Sequence, residues 1–172
     1  MKKLFLLIVL FISVGTGIGA QNFPKVIFPG DYPDPSILRD GKDYYITHSP
    51  FYYAPGFLIW HSIDLMHWEP VCRALPEYEG SVMAPDLLKY QGRYYIYYPT
   101  STGENYVIYA DDIRGPWSKP VKLEVKGIDP GHVVGEDGKR YLFTNNGWIT
   151  PLSEDGLKVT EFLRRFPPVD RL

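Results

Sequence analysis

The sequence predicts an all-β fold built from repeated small antiparallel sheets, and three observations predict it. Gly41-Lys-Asp-Tyr-Tyr-Ile-Thr47, Gly92-Arg-Tyr-Tyr-Ile-Tyr97 and Gly138-Lys-Arg-Tyr-Leu-Phe-Thr144 each place a turn glycine and a basic residue before an aromatic-rich strand, and their glycines stand 51 and 46 positions apart. Between them a second element recurs. Residues 58–71 (LIWHSIDLMHWEPV) resemble residues 107–121 (VIYADDIRGPWSKPV), with Trp68 and Trp117 49 apart and Pro70 and Pro120 50 apart. Finally, 14 Tyr and 9 Phe set among 16 Gly and 16 Pro suit short strands joined by tight turns. A fixed period of about fifty residues in such a pattern points to propeller blades.

Taken in order, each blade has an inner strand after a motif such as Asp34-Pro35, a second strand carrying the Gly-x-Tyr-Tyr segment, and outer strands ending near the tryptophan. The longest stretch that competes as a helix, residues 74–88, is broken by Pro76, Gly80 and Pro85. Residues 28–160 hold about three blades, whereas propellers close with about four to eight. The count predicts a part of a larger ring or a chain that ends early, with residues 161–172 an atypical tail and open blade edges that favour self-association.

Residues 1–20 have the layout of a secretory signal peptide: Lys2 and Lys3, an apolar run from Leu4 to Val14, then small residues to Ala20. The apolar run is shorter than the ~20 residues a membrane span needs. Without this segment the formal net charge moves from −2 to −4. The expectation is a secreted or periplasmic protein, with residues 21–160 forming the blades and no membrane association after removal. The near-balanced charge gives no basis for a nucleic-acid partner. Cys72, the single cysteine, has no internal disulfide partner and reads as a small core residue.

Three blade starts carry an Asp beside a Pro: Asp34-Pro35-Ser36, Pro85-Asp86 and Asp129-Pro130-Gly131. Inner strands line a central channel, so aspartates at matching places would converge on a common pit. Clustered carboxylates suit glycosidic bond cleavage, in which one side chain activates water and another protonates the leaving oxygen. Asp-Pro is also a turn dipeptide, and each Asp alone could serve as a cap. His48, His61, His67 and His132 lack metal-ligand spacing. Residues 135–138 (GEDG) read as a hairpin turn without the alternating ligands of a calcium loop. One tyrosine of each pair, Tyr44 and Tyr45 or Tyr94 and Tyr95, is expected to pack between blades.

Tyr32-Pro-Asp-Pro-Ser36, His48-Ser-Pro-Phe-Tyr-Tyr-Ala-Pro-Gly56, Trp60-His-Ser-Ile-Asp-Leu65 with Trp68, Ala84-Pro-Asp86, Gly127-Ile-Asp-Pro130 and Glu136-Asp-Gly-Lys-Arg-Tyr-Leu142 occur in an order and spacing that resemble the amino-terminal part of glycoside hydrolase family 43. That family comprises five-bladed β-propellers, among them β-xylosidases, α-L-arabinofuranosidases and arabinanases. The related fructosyl-cleaving propellers open with Asn-Asp-Pro-Asn-Gly, which is absent here. The resemblance implies a partial five-bladed β-propeller with about three blades present, and inverting hydrolysis of xylose- or arabinose-containing plant polysaccharides, a carbohydrate substrate with no cofactor or metal. It makes Asp34 the general base, Asp129 the carboxylate that orients the acid and modulates its pKa, and Phe51 an aromatic wall for the sugar. Asp86 is implied as a sugar-hydroxyl acceptor, with a blade-start cap as its alternative. Two departures stand out. Met83 occupies the place where many relatives have Trp, and the Glu-Gly-Pro motif of the general acid is absent. Glu154 and Glu161 come too early to replace it. A sugar-binding or inactive propeller fragment is therefore the alternative to an active hydrolase.

Overall fold

The computed structural model describes residues 26–161 and 164–165. The proposed signal peptide and residues 166–172 lie outside the described residues. Among the described residues, twelve strands form three four-stranded antiparallel sheets. The first contains β1 (Ser36–Asp40), β2 (Asp43–Thr47), β3 (Gly56–Ser62) and β4 (Glu69–Leu75). The second contains β5 (Asp86–Tyr90), β6 (Arg93–Pro99), β7 (Asn105–Ala110) and β8 (Val121–Leu123). The third contains β9 (Gly131–Val134), β10 (Arg140–Thr144), β11 (Trp148–Pro151) and β12 (Arg164–Arg165). The fold is thus all-β and consists of successive propeller blades, as the repeat predicts. The 3-10 turn Asn145–Gly147 joins β10 to β11. Among the described residues no helix is long and apolar enough to cross a membrane.

Each sheet runs in chain order outward from its first strand, because every connection within a sheet is a hairpin. In the second blade, Asp86 to Tyr90 pair with Tyr97 to Arg93 across the turn Gln91-Gly92. Both turn residues have φ in the left-handed region, +48° and +85°. That geometry follows the right-handed twist of the strands, and a glycine at the second position relieves its cost. Residues 135–138 do form a turn, with the Gly138 amide donating to the Gly135 carbonyl at 2.9 Å. β12 pairs Arg165 with Trp148 and Arg164 with Ile149, so the third blade's last strand lies in the stretch read from sequence as a tail. Two residues are too few for alternation to show in a sequence pattern.

Two cores fill the spaces between sheets. The first packs Tyr45, Phe57, Ile59, Leu75, Val82, Leu87, Tyr94, Ile96, Tyr98 and Ile108 between blades one and two. The second packs Tyr95, Tyr97, Val107, Leu123, Val125, Leu142 and Leu152 between blades two and three. Tyr45 is buried while Tyr44 is half-buried, as alternation requires. Tyr94 and Tyr95, however, are both buried, in different cores, because the middle sheet is covered on both faces. Cys72 is a half-buried thiol packed against the first core, and its Sγ donates to the Ile113 carbonyl at 3.2 Å. The repeat in the outer strands is structural as well: the Trp68 indole donates to the Leu65 carbonyl at 3.1 Å, and the Trp117 indole to the Ile113 carbonyl at 3.2 Å.

Candidate active site at the blade starts

Asp34, Ala84 and Asp129 occupy the same place in successive blades. Each precedes a proline, two residues before the first residue of an inner strand, and each has a positive φ, at +51°, +40° and +57°. The sequence reading placed Asp86 in register with Asp34 and Asp129, and the structure corrects this. Asp86 follows its proline and begins β5, so it matches Ser36 and Gly131. The proline is common to all three blades, and proximity to it does not reveal on which side of it the repeat sets the carboxylate.

The residues in the Ser36 register join one blade to the next. Ser36 Oγ accepts the Leu87 amide at 2.9 Å, and Asp86 Oδ2 accepts the His132 amide at 2.7 Å. In both cases the first residue of one inner strand holds the second residue of the following one. The blade starts therefore lie level, and Asp34 and Asp129 stand at the same end of the array.

Asp34 is held from the end of β2. The Ser49 amide donates to the Pro33 carbonyl at 2.9 Å, and Ser49 Oγ donates to Asp34 Oδ2 at 2.5 Å. The same hydroxyl accepts the Ala84 amide at 2.5 Å, which ties the start of the second blade to the carboxylate of the first. Two residues on, Phe51 adopts a φ of +48° and exchanges backbone hydrogen bonds with Val82, at 3.0 and 3.2 Å. Such a conformation is costly for a bulky residue and persists only where its surroundings enforce it. Phe51 is half-buried beside this seam.

Asp129 has an equivalent support. The Asn145 amide donates to the Ile128 carbonyl at 2.9 Å, and Asn145 Oδ1 accepts the Ile128 amide at 3.1 Å. From the second blade, Asn105 Nδ2 donates to the carbonyls of Val125 and Gly127, at 3.2 and 2.9 Å. Gly127 has a φ of +89°, and a Cβ there would lie 2.5 Å from Asn145 Oδ1, so only glycine fits. Neither Ser49 nor Asn145 stands out in the sequence. The available signal was a polar residue just past the second strand in the first and third blades. In the second blade Pro99 takes this place, and there the Met83 amide donates to the Pro99 carbonyl instead, at 3.1 Å.

Asp86 lies at the edge of a buried polar cluster. Burial raises its carboxyl to about 6, against a smaller opposite effect of the His132 amide. The His132 ring stacks on Tyr97, with centroids 5.8 Å apart. Its Nε2 accepts Arg140 Nε at 2.9 Å, which leaves the proton of the neutral ring on Nδ1. Burial, and next the Arg140 charge, lower this imidazole to about 4. Arg140 is only 2% exposed and lies between the Tyr90 and Tyr95 rings, at 4.4 and 4.5 Å. Its Nη2 donates to the Tyr97 hydroxyl at 3.0 Å and its Nη1 to the Glu154 carbonyl at 3.1 Å. His132, on β9, thus points its ring into the space between blades. Among the described residues no group of three or more His, Cys, Asp or Glu has the arrangement to hold a metal ion.

The family model for glycosyl hydrolases family 43 matches residues 23–165. The chain belongs to that family. It is 39% identical over 128 residues to a xylosidase/arabinosidase of Butyrivibrio fibrisolvens, a match that covers 67% of this chain and 25% of that protein. It is also 31% identical over 157 residues to a non-reducing end α-L-arabinofuranosidase of Bacteroides ovatus, covering 83% of this chain and 30% of the relative. Among solved structures, a xylan β-1,4-xylosidase of Bacillus halodurans superposes with a TM-score of 0.71 at 32% identity, covering 81% of this chain and 32% of that one. The chain spans about a quarter to a third of the length of the family 43 relatives it matches.

Proposed function

We propose that this chain supplies the base-bearing blades of a family 43 glycosidase acting on xylose- or arabinose-containing polysaccharides with inversion of configuration. The observation that carries the reading is the anchoring of Asp34, whose carboxylate is oriented by Ser49 at the start of the first inner strand. In this role Asp34 takes a proton from the attacking water. An acid about 6.5–9.5 Å away protonates the leaving oxygen, with room between them for that water. Asp129, fixed through Asn145 and Asn105, orients the acid, and Phe51 packs against the sugar. Asp86 has one oxygen engaged by the His132 amide, which leaves the other to accept a sugar hydroxyl. The leader-like residues 1–20 support export to the periplasm or the medium. Blade edges left open among the described residues support self-association of the chain.

A second reading, sugar binding without turnover, is favoured by one observation. The positions equivalent to Asp34 are Ala84 and Asp129, so no glutamate stands at a blade start among the described residues. Both readings are tested by assaying the chain on nitrophenyl β-xyloside and α-L-arabinofuranoside, and by measuring binding of the same glycosides by ligand-observed NMR. The expected result is binding weakened at least tenfold by Asp34→Asn or Phe51→Ala, with turnover near background. Robust turnover abolished by Asp34→Asn would overturn the binding-only reading and place the acid among these residues. Absence of pentoside binding would overturn both.

A further inference from the structure

We propose that Tyr52, Tyr53 and Tyr78 form an aromatic rim that grips a polysaccharide chain beyond the sugar residue seated at Asp34, a proposal that rests on the glycosidase reading above. The three side chains are 70%, 81% and 60% exposed. Single exposed aromatics are ordinary on a protein surface. These three differ in how their loops are mounted. Residues 48–55 join β2 to β3 and residues 76–85 join β4 to β5, so both loops lie at the end of the first sheet that carries Asp34.

The paired backbone hydrogen bonds between Phe51 and Val82 fasten the two loops side by side, one residue from Tyr52 and four from Tyr78. Ser49 Oγ joins the same loops nearer the carboxylate, bonded to Asp34 on one side and to Ala84 on the other. The Tyr53 amide donates to the Pro50 carbonyl at 2.9 Å, which closes its own loop. The backbone under the rim is therefore ordered before any ligand arrives, and binding need not supply that ordering.

Tyrosine presents a flat apolar face and a hydroxyl at low rotamer cost. That combination suits the C–H faces and hydroxyl edges of a pyranose or furanose ring. Glu77 and Glu79, exposed on either side of Tyr78, add acceptors for sugar hydroxyls. Continuity with Asp34 and Phe51 through the Ser49 and Val82 contacts favours a carbohydrate as the occupant over a protein surface.

The test is affinity electrophoresis of the 172-residue chain in gels containing arabinoxylan or arabinan, with xylobiose and arabinobiose binding measured in parallel. The parent should be retarded by at least one polymer. The Tyr52→Ala/Tyr53→Ala/Tyr78→Ala variant should lose at least tenfold in polymer affinity while keeping disaccharide binding within about twofold. Tryptophan at the same positions should preserve retardation. An unchanged melting temperature shows that the alanine variant is folded, as expected for side chains this exposed. The proposal is overturned if the alanine variant is retarded like the parent, if neither polymer retards the parent, or if tryptophan fails to preserve what alanine loses. It is also overturned if the alanine substitutions abolish a dimer in sedimentation without touching polymer binding, since the rim would then be a contact between copies. Polymer retention independent of the tyrosines, with Asp34-dependent disaccharide binding intact, removes the rim alone. Loss of disaccharide binding by the parent removes the glycosidase reading as well.

Discussion

The first and second blades carry the same tripeptide at the same repeat position, and they bury it differently. Tyr44-Tyr45-Ile46 in β2 alternates, with only Tyr45 fully buried, whereas Tyr94-Tyr95-Ile96 in β6 is buried throughout. The tripeptide and its pairing to the first strand of each sheet are shared, so the difference comes from what lies on each side. The second sheet separates two cores, and the described residues place a core on one face of the first sheet. A pattern of alternation reports a half-covered sheet, while a continuous apolar run reports a sandwiched one.

The sharpest test of this comparison pairs Ile96→Ala with Ile46→Ala, the same substitution fifty residues apart. Ile96 is fully buried, and its truncation should lower stability in urea denaturation by about 2–5 kcal/mol. Ile46 is half-buried, and its truncation should cost about 1 kcal/mol. Equal losses would mean that the first sheet is covered on both faces in solution.

A smaller effect is expected at the junction of the second and third blades. Arg140→Met keeps much of the side-chain volume between Tyr90 and Tyr95 but leaves His132 Nε2, the Tyr97 hydroxyl and the Glu154 carbonyl without this donor. The loss should be about 2–3 kcal/mol, read from the urea midpoint. A neutral result would mean that desolvating the guanidinium costs as much as its hydrogen bonds return.

The mildest expected effect is a change in pH dependence. The Asp86 carboxyl is raised from 3.8 to about 6, so the stability it contributes is present below pH 4 and lost as pH rises through 6. The His132 imidazole is lowered from 6.5 to about 4, so its contribution is present above pH 6.5 and lost as pH falls through 4. The two slopes oppose each other and nearly cancel in the parent protein. Asp86→Asn should therefore leave a protein that loses stability between pH 6.5 and 4. His132→Gln should leave one that loses stability between pH 4 and 6. Denaturant melts at half-unit pH steps would show whether removing either group uncovers the other's slope.

The motifs that carry Asp34, Asp129 and Phe51, and the repeat of aspartate before proline in blades one and three, were legible in the sequence. The structure adds that both aspartates adopt a positive φ. The part that was not legible concerns side chains acting across blades. Asp86 was read into the wrong register because Ala84-Pro85-Asp86 offers a carboxylate on the far side of the proline. Ser49 and Asn145 carry no motif of their own. Their roles depend on meeting residues 15 and 17 positions away along the chain. Arg140, a charged residue in an apolar interior, contradicts every burial expectation, and only the surrounding Tyr90, Tyr95, Tyr97 and His132 make its place intelligible.

By itself the sequence determined the strands, the turns between them and the fifty-residue spacing. These depend on local geometry: alternation along a strand, left-handed turn residues at hairpin tips, and proline ahead of each inner strand. Only the tertiary structure decided which faces are buried twice, which residue of each Asp-Pro or Pro-Asp pair begins a strand, and which polar groups bridge neighbouring blades. Those outcomes depend on contacts between residues far apart along the chain, such as the Ala84 amide with Ser49 Oγ, 35 positions away, and the His132 amide with Asp86 Oδ2, 46 positions away. A period in the chain announces that such contacts repeat, but it does not specify the atoms that make them.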